Sequence, residues 1–262
     1  MERKIKMEVG YSALAGVMIP SLLLIWKNFG PDAFAFASAI VVIINVALYR
    51  PSISMGIISG SFAVFTELVA PSLGLWYYSH GYQFHAIFMG FCAIGTAAST
   101  YMHMMGWDEH IKSAYKKHRI FSNILMVPLC MMALCIDLFY VFWYSESQLL
   151  YVITLIATIL LLQYLNRELW HAGAIYAVYG LAEEGIGVEM GLWGYEVMPG
   201  FSHFPTLGTF PFIVLFLEYF LIGSMVMLAF LEAEMQGSQK TAKARHAQKL
   251  SPSHTESLKK QA

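Results

Sequence analysis

Five carboxylates stand inside long apolar stretches of this chain: Glu67, Asp137, Glu183, Glu184 and Glu218. No Lys or Arg lies within the same stretches to pair with them. An ionisable group in such surroundings is costly and is a functional hypothesis in itself. Desolvation favours the neutral form of a carboxyl group, and a neutral acid can give up a proton near neutral pH. Two of the acids recur in one pattern. Glu67 to Tyr78 and Glu184 to Tyr195 both read E-x6-G-L-W-x-Y, at an offset of 184 − 67 = 117. Trp76, Tyr78, Trp193 and Tyr195 therefore flank the recurrent acids, and aromatic faces stabilise cations. Trp and Tyr also favour membrane interfaces, so the plainer reading of the element is an interface anchor.

The same offset carries Arg50 to Arg167, and each arginine precedes its glutamate by 17 residues. A straight helix spans roughly 26 Å over that distance, close to the hydrocarbon thickness of about 30 Å. Each arginine is thus placed at one membrane face and each glutamate near the other. Asp137 is expected at a similar depth to the glutamates, and Glu218 about halfway along its helix. Glu184 is the expected proton donor, with Glu67 its partner and Asp137 the next candidate. Glu183 points about 100° away from Glu184 around a helix and is read as an outer-water contact. For Asp137 or Glu218 alone, a satisfied polar contact between helices is the simpler account.

Apolar stretches long enough to hold these acids in a bilayer run over 9–26, 33–49, 53–70, 84–104, 120–143, 149–164, 169–190 and 206–231. Only 13% of the 262 residues are charged, against about 25% in soluble domains. The expectation is an all-α, polytopic membrane protein of about eight transmembrane helices, formed by two parallel four-helix repeats. The first repeat covers 1–118, the second 119–235, and 236–262 forms a disordered basic tail. With eight spans, the basic residues of the N-terminus, the even loops and the tail share one side, leaving only Lys27 opposite. That places both termini in the cytoplasm.

Other chemistry is thinly represented. Net charge is -1, which gives no field for nucleic acid. Cys92, Cys130 and Cys135 lie in apolar runs and read as small packing residues. His103, Asp108, Glu109, His110 and His118 cluster in one stretch but fit no metal-ligand box, so they read as a solvated loop. No phosphate loop and no nucleophile elbow occur. Neither a metal nor another cofactor is expected.

The second motif resembles one found in membrane carotenoid-modifying proteins. Glu184, Gly187 and Gly191, followed by an aromatic residue, a glycine and a tyrosine, are similar to a motif of the carotenoid biosynthesis protein family. That family comprises the bisanhydrobacterioruberin hydratases and their lycopene cyclase relatives. Residues 205–216 also resemble that family's proline-led helix, and 67–78 is a weaker echo of the motif. Leu192 and Trp193 stand where the family tends to have proline and phenylalanine. The resemblance implies an isoprenoid cyclase (isomerase or lyase class) or hydratase acting on a lipophilic substrate in the bilayer. Glu184, Glu67 and Asp137 would be catalytic, and Trp76, Tyr78, Trp193, Tyr195 and Glu218 would contact the substrate. Buried acids in parallel repeats also suit a proton-coupled small-molecule transporter, and a non-catalytic membrane scaffold is the third reading.

Overall fold

The structure is a computed structural model, and it describes residues 2–69, 76–79, 83–117, 148–195 and 212–249. Among these described residues the fold is all-α apart from two short strands. In chain order the elements are α1 (Glu2–Phe29), α2 (Pro31–Leu48), α3 (Ser52–Val69), β1 (Trp76–Tyr78), α4 (Phe84–Met105) and α5 (Trp107–Lys117). Then come α6 (Gln148–Leu165), a 3-10 turn (Arg167–Leu169), α7 (Trp170–Glu189), β2 (Trp193–Tyr195) and α8 (Phe212–Lys249). Among the described residues, two helices are long and apolar enough to cross a membrane, Pro31–Leu48 and Leu215–Gly237.

Local sequence explains the breaks. Gly30, at φ 86°, takes a left-handed turn, and Pro31 opens α2 with its missing N–H where no partner is needed. Gly106 closes α4 in the left-handed conformation, its N–H donating to the carbonyl of His103. Helix α5 corrects the reading of that stretch as a solvated loop. Ile111 and Tyr115 recur at a spacing of one helical turn and are fully buried. Helix α8 runs on to Lys249, where a disordered tail is expected from 236. Its Ala, Lys and Gln residues are good helix formers, and extending a formed helix avoids the nucleation cost. The span expected at 120–143, with Asp137, Cys130 and Cys135, lies outside the described residues.

The two halves pack alike. Gly56 of α3 lies against Thr96 and Cys92 of α4, and Gly173 of α7 lies against Ser224 and Phe220 of α8. In return, Gly95 faces Ser59, Met55 and Gly56, while Gly223 faces Tyr176 and Ala172. The first helix of each pair keeps the offset of 117 (173 − 56 = 117). The second is at 223 − 95 = 128, so the offset of 117 does not extend to the last helix. The intervening segment is longer in the second half by 128 − 117 = 11 residues. Small residues on both sides let the backbones approach closely, as in helix pairs within membranes.

The aromatic motifs join the halves. β1 and β2 pair antiparallel, Trp76 opposite Tyr195, Tyr77 opposite Gly194 and Tyr78 opposite Trp193. This register is self-complementary, because each motif's Trp faces the other's Tyr, as across a local two-fold axis. Ser79 ties the pair further, its N–H and hydroxyl both donating to the carbonyl of Leu192.

The helix crossings leave no room for a methyl group. A Cβ at Gly95 would stand 2.8 Å from the carbonyl oxygen of Met55, and one at Gly223 would stand 2.7 Å from that of Ala172. Gly95→Ala and Gly223→Ala should each cost about 1–3 kcal/mol. Gly16→Ala, with no atom within 4 Å of the new Cβ, should cost nothing. Thermal unfolding in detergent measures all three.

Candidate active site

Glu184 lies on α7 with Gly180 one turn before it and Gly187 one turn after. Both glycines are needed for what packs there. The ring of Tyr219, from α8, lies across Gly180, where any Cβ would collide with it. The indole of Trp193 lies across Gly187 in the same way. Trp193 gets there because Gly191, at φ 71°, turns the chain back at the end of α7. The N–H of Leu192 then donates to the carbonyl of Gly187 at 2.9 Å. The two rings so placed grip the carboxyl group from both sides. The Trp193 indole N–H donates to Glu184 Oε2 at 2.6 Å, and the Tyr219 hydroxyl donates to Oε1 at 2.7 Å.

Around this grip is a cavity of about 20 Å³, lined by Glu67, Glu183 and Glu184 together with Trp26, Phe34, Tyr78, Phe91, Trp193 and Tyr219. Ile87 and Gly90 complete the lining, so among the described residues no Lys or Arg faces the three acids. The rings form one box. Trp26 stacks on Tyr78 with planes 2° apart, meets Trp193 at 5.8 Å and touches Phe34 at 4.7 Å between centroids. Phe91 stacks against Tyr219 with planes 7° apart. These two are equivalent positions of the two halves (219 − 91 = 128), so the stack sits where the local two-fold passes. Tyr78 hydrogen-bonds Glu67. Burial first, then the charges of Glu67 and Glu184, raise its phenol well above the ordinary value of 10.0.

Of the residues expected from sequence, Glu67, Glu184, Tyr78 and Trp193 meet at this cavity. Glu183 meets them there too, so both adjacent acids face it. Residues 183 and 184 diverge around the helix, but a cavity in contact with several helices is wide enough to take both. Glu218 stands one residue before Tyr219 on α8, outside the lining. The backbones of Trp76 and Tyr195 pair at the rim. Asp137 is outside the described residues. Sequence reasoning missed Trp26, Phe34, Phe91 and Tyr219. The signal for Tyr219 was the pair of glycines one turn on either side of Glu184.

A second polar cluster closes the opposite end of the bundle. Asp108 accepts from the Tyr49 hydroxyl at 3.1 Å and lies 2.9 Å from His103 Nδ1, while Lys112 donates to Tyr49 at 3.2 Å. Glu232, fully buried, accepts from Tyr115 and Gln236. Among the described residues no group of three or more His, Cys, Asp or Glu side chains is arranged to hold a metal ion. No family model, no curated protein and no solved structure matches the chain.

The grip on Glu184 gives a measurable coupling. Tyr219→Phe leaves Oε1 without its donor and should cost about 1–3 kcal/mol. Gly180→Ala displaces the same ring, so the two changes together should cost much less than the sum of each alone. Thermal unfolding of the two single variants and the double variant reads that difference.

Proposed function

We propose that this chain is an integral membrane enzyme that protonates an isoprenoid double bond, as a cyclase or hydratase does. The observation that carries the reading is the cavity itself: three carboxyl groups inside a box of six aromatic rings, without a cation among the described lining residues. Acids so clustered share protons rather than all ionise. Aromatic faces then stabilise the positive charge that protonation creates on carbon.

In this proposal the chain crosses the bilayer about eight times, as two parallel four-helix repeats with both termini cytoplasmic. The exposed apolar side chains of α2 and α6 fit that setting, among them Phe36, Ile43, Leu160 and Leu161. The acid cavity then lies toward the non-cytoplasmic side, and the Tyr49–Asp108 cluster toward the cytoplasm. An apolar groove of about 310 Å³ between α1 and α2 shares Leu22 with the cluster that holds Trp26 and Phe34. The isoprenoid chain lies in that groove and presents a double bond past Trp26 and Phe34 to the acids.

The hydrogen bonds divide the labour. Glu184 accepts at both oxygens, which suits a carboxylate that receives a proton. Glu67 is tied to Tyr78. Glu183 is buried, and its Oε2 has no partner among the described residues, which makes it the donor in place of Glu184. Its O–H bond breaks as a C–H bond forms at one alkene carbon, and the other carbon becomes cationic. A second double bond of the same molecule or a water then attacks the cation. The proton released goes to Glu184, and transfer back to Glu183 restores the start.

General acid catalysis contributes about 10²–10⁴-fold. Glu183→Gln and Glu184→Gln should each lower the yield of a lipid-soluble product by that order, and Glu218→Gln by far less. Mass spectrometry of lipid extracts from an isoprenoid-producing host measures it. Full yield from Glu183→Gln together with Glu184→Gln would remove the proposal.

A further inference from the structure

Two residues that line the acid cavity each carry a buried polar atom with no hydrogen-bond partner among the described residues. One is a donor, the indole N–H of Trp26, and the other is an acceptor, Oε2 of Glu183. The residues are 4% and 9% exposed, and both line the same cavity. Leaving either atom unsatisfied is costly, and buried polar groups in folded proteins are almost always paired. The neighbouring acids are engaged with other donors. Both oxygens of Glu184 are taken by Trp193 and Tyr219, and Tyr78 hydrogen-bonds Glu67.

The cavity also has a definite size. At about 20 Å³ it exceeds the roughly 10–15 Å³ that one water needs. A bare hydrocarbon would leave both polar atoms unpaired. A carbonyl group would satisfy the indole, but it could meet Glu183 only when that carboxyl is protonated, whereas a hydroxyl meets it in either protonation state. A hydroxyl oxygen satisfies both, because it accepts from the indole and shares a hydrogen with the carboxyl.

We propose that the cavity is a binding site for a single hydroxyl oxygen, held between Trp26 Nε1 and Glu183 Oε2. That oxygen belongs either to a water molecule or to the alcohol group of a lipophilic substrate. The site rests on cavity geometry and hydrogen-bond inventory, and it stands whether or not the acids protonate an alkene.

The test uses the full-length protein in lipid nanodiscs with ¹⁵N-labelled tryptophan indoles. Trp26→Phe assigns the Trp26 resonance, and the half-exposed Trp170 reports that the fold is intact. The Trp26 indole proton should show a cross-peak to bound water. Geranylgeraniol then separates the sources. A shift of the Trp26 resonance with loss of the water cross-peak assigns the site to a substrate hydroxyl, and an unchanged cross-peak assigns it to water. Geranylgeranyl acetate, which has no hydroxyl, should leave the resonance in place. Glu183→Leu should abolish the cross-peak while the Trp170 resonance stays put. The proposal is overturned if wild type shows neither a water cross-peak nor a shift with the alcohol, or if the cross-peak survives Glu183→Leu.

Discussion

The candidate site depends on one carboxyl group held from two sides. Glu184 takes one hydrogen bond from the Trp193 indole and one from the Tyr219 hydroxyl. Each donor reaches it only because a glycine lets its ring lie flat on α7. Those two rings come from different elements. Trp193 is in β2, which pairs with β1 of the other half, and Tyr219 is in α8, which stacks on Phe91 of α4. The bonds to Glu184 therefore tie a helix, a strand pair and a helix crossing into one unit. Hydrogen bonds to an ionised carboxyl are about twice as strong as neutral ones, and low-dielectric surroundings such as the aromatic box strengthen hydrogen bonds further.

The scaffold is close to symmetric, whereas the chemistry is not. Glu67 and Glu184 are equivalent, as are the two strands and the two glycine crossings. Glu183, however, stands where the first half has Thr66 (183 − 66 = 117), and Tyr219 stands where it has Phe91. The second half thus supplies an extra acid and an extra hydroxyl to a cavity that both halves wall. A structural interface between repeats needs only the symmetric parts. The polar additions on one side are what the proposed proton transfer uses.

Much of this was legible in the sequence. The repeated E-x6-G-L-W-x-Y motif located both glutamates and the aromatic turn, and apolar runs gave α2 to α4, α6 and α7 within a few residues and all of α1 but its charged first turns. Three things were not legible. The offset change from 117 to 128 falls between β2 and α8, where added length leaves the packed faces unaltered. Helix α5 is short and rich in charge, so its composition resembles a loop until Ile111 and Tyr115 are seen buried together. The box residues Trp26, Phe34 and Phe91 are ordinary apolar side chains in apolar helices. Only the tertiary fold distinguishes them from their neighbours. Glu183 was set aside because an adjacent residue points elsewhere on a helix, an argument that fails when the cavity spans several helices.

Isotope uptake tests the proton-transfer claim most directly. Purified protein in vesicles carrying lycopene, squalene or geranylgeraniol, incubated in D₂O, should convert at least one of them. The product should carry deuterium on carbon, because the carboxyl groups exchange with solvent before they protonate the alkene. A product formed without carbon-bound deuterium, or no conversion of any of the three by folded protein, would contradict the account.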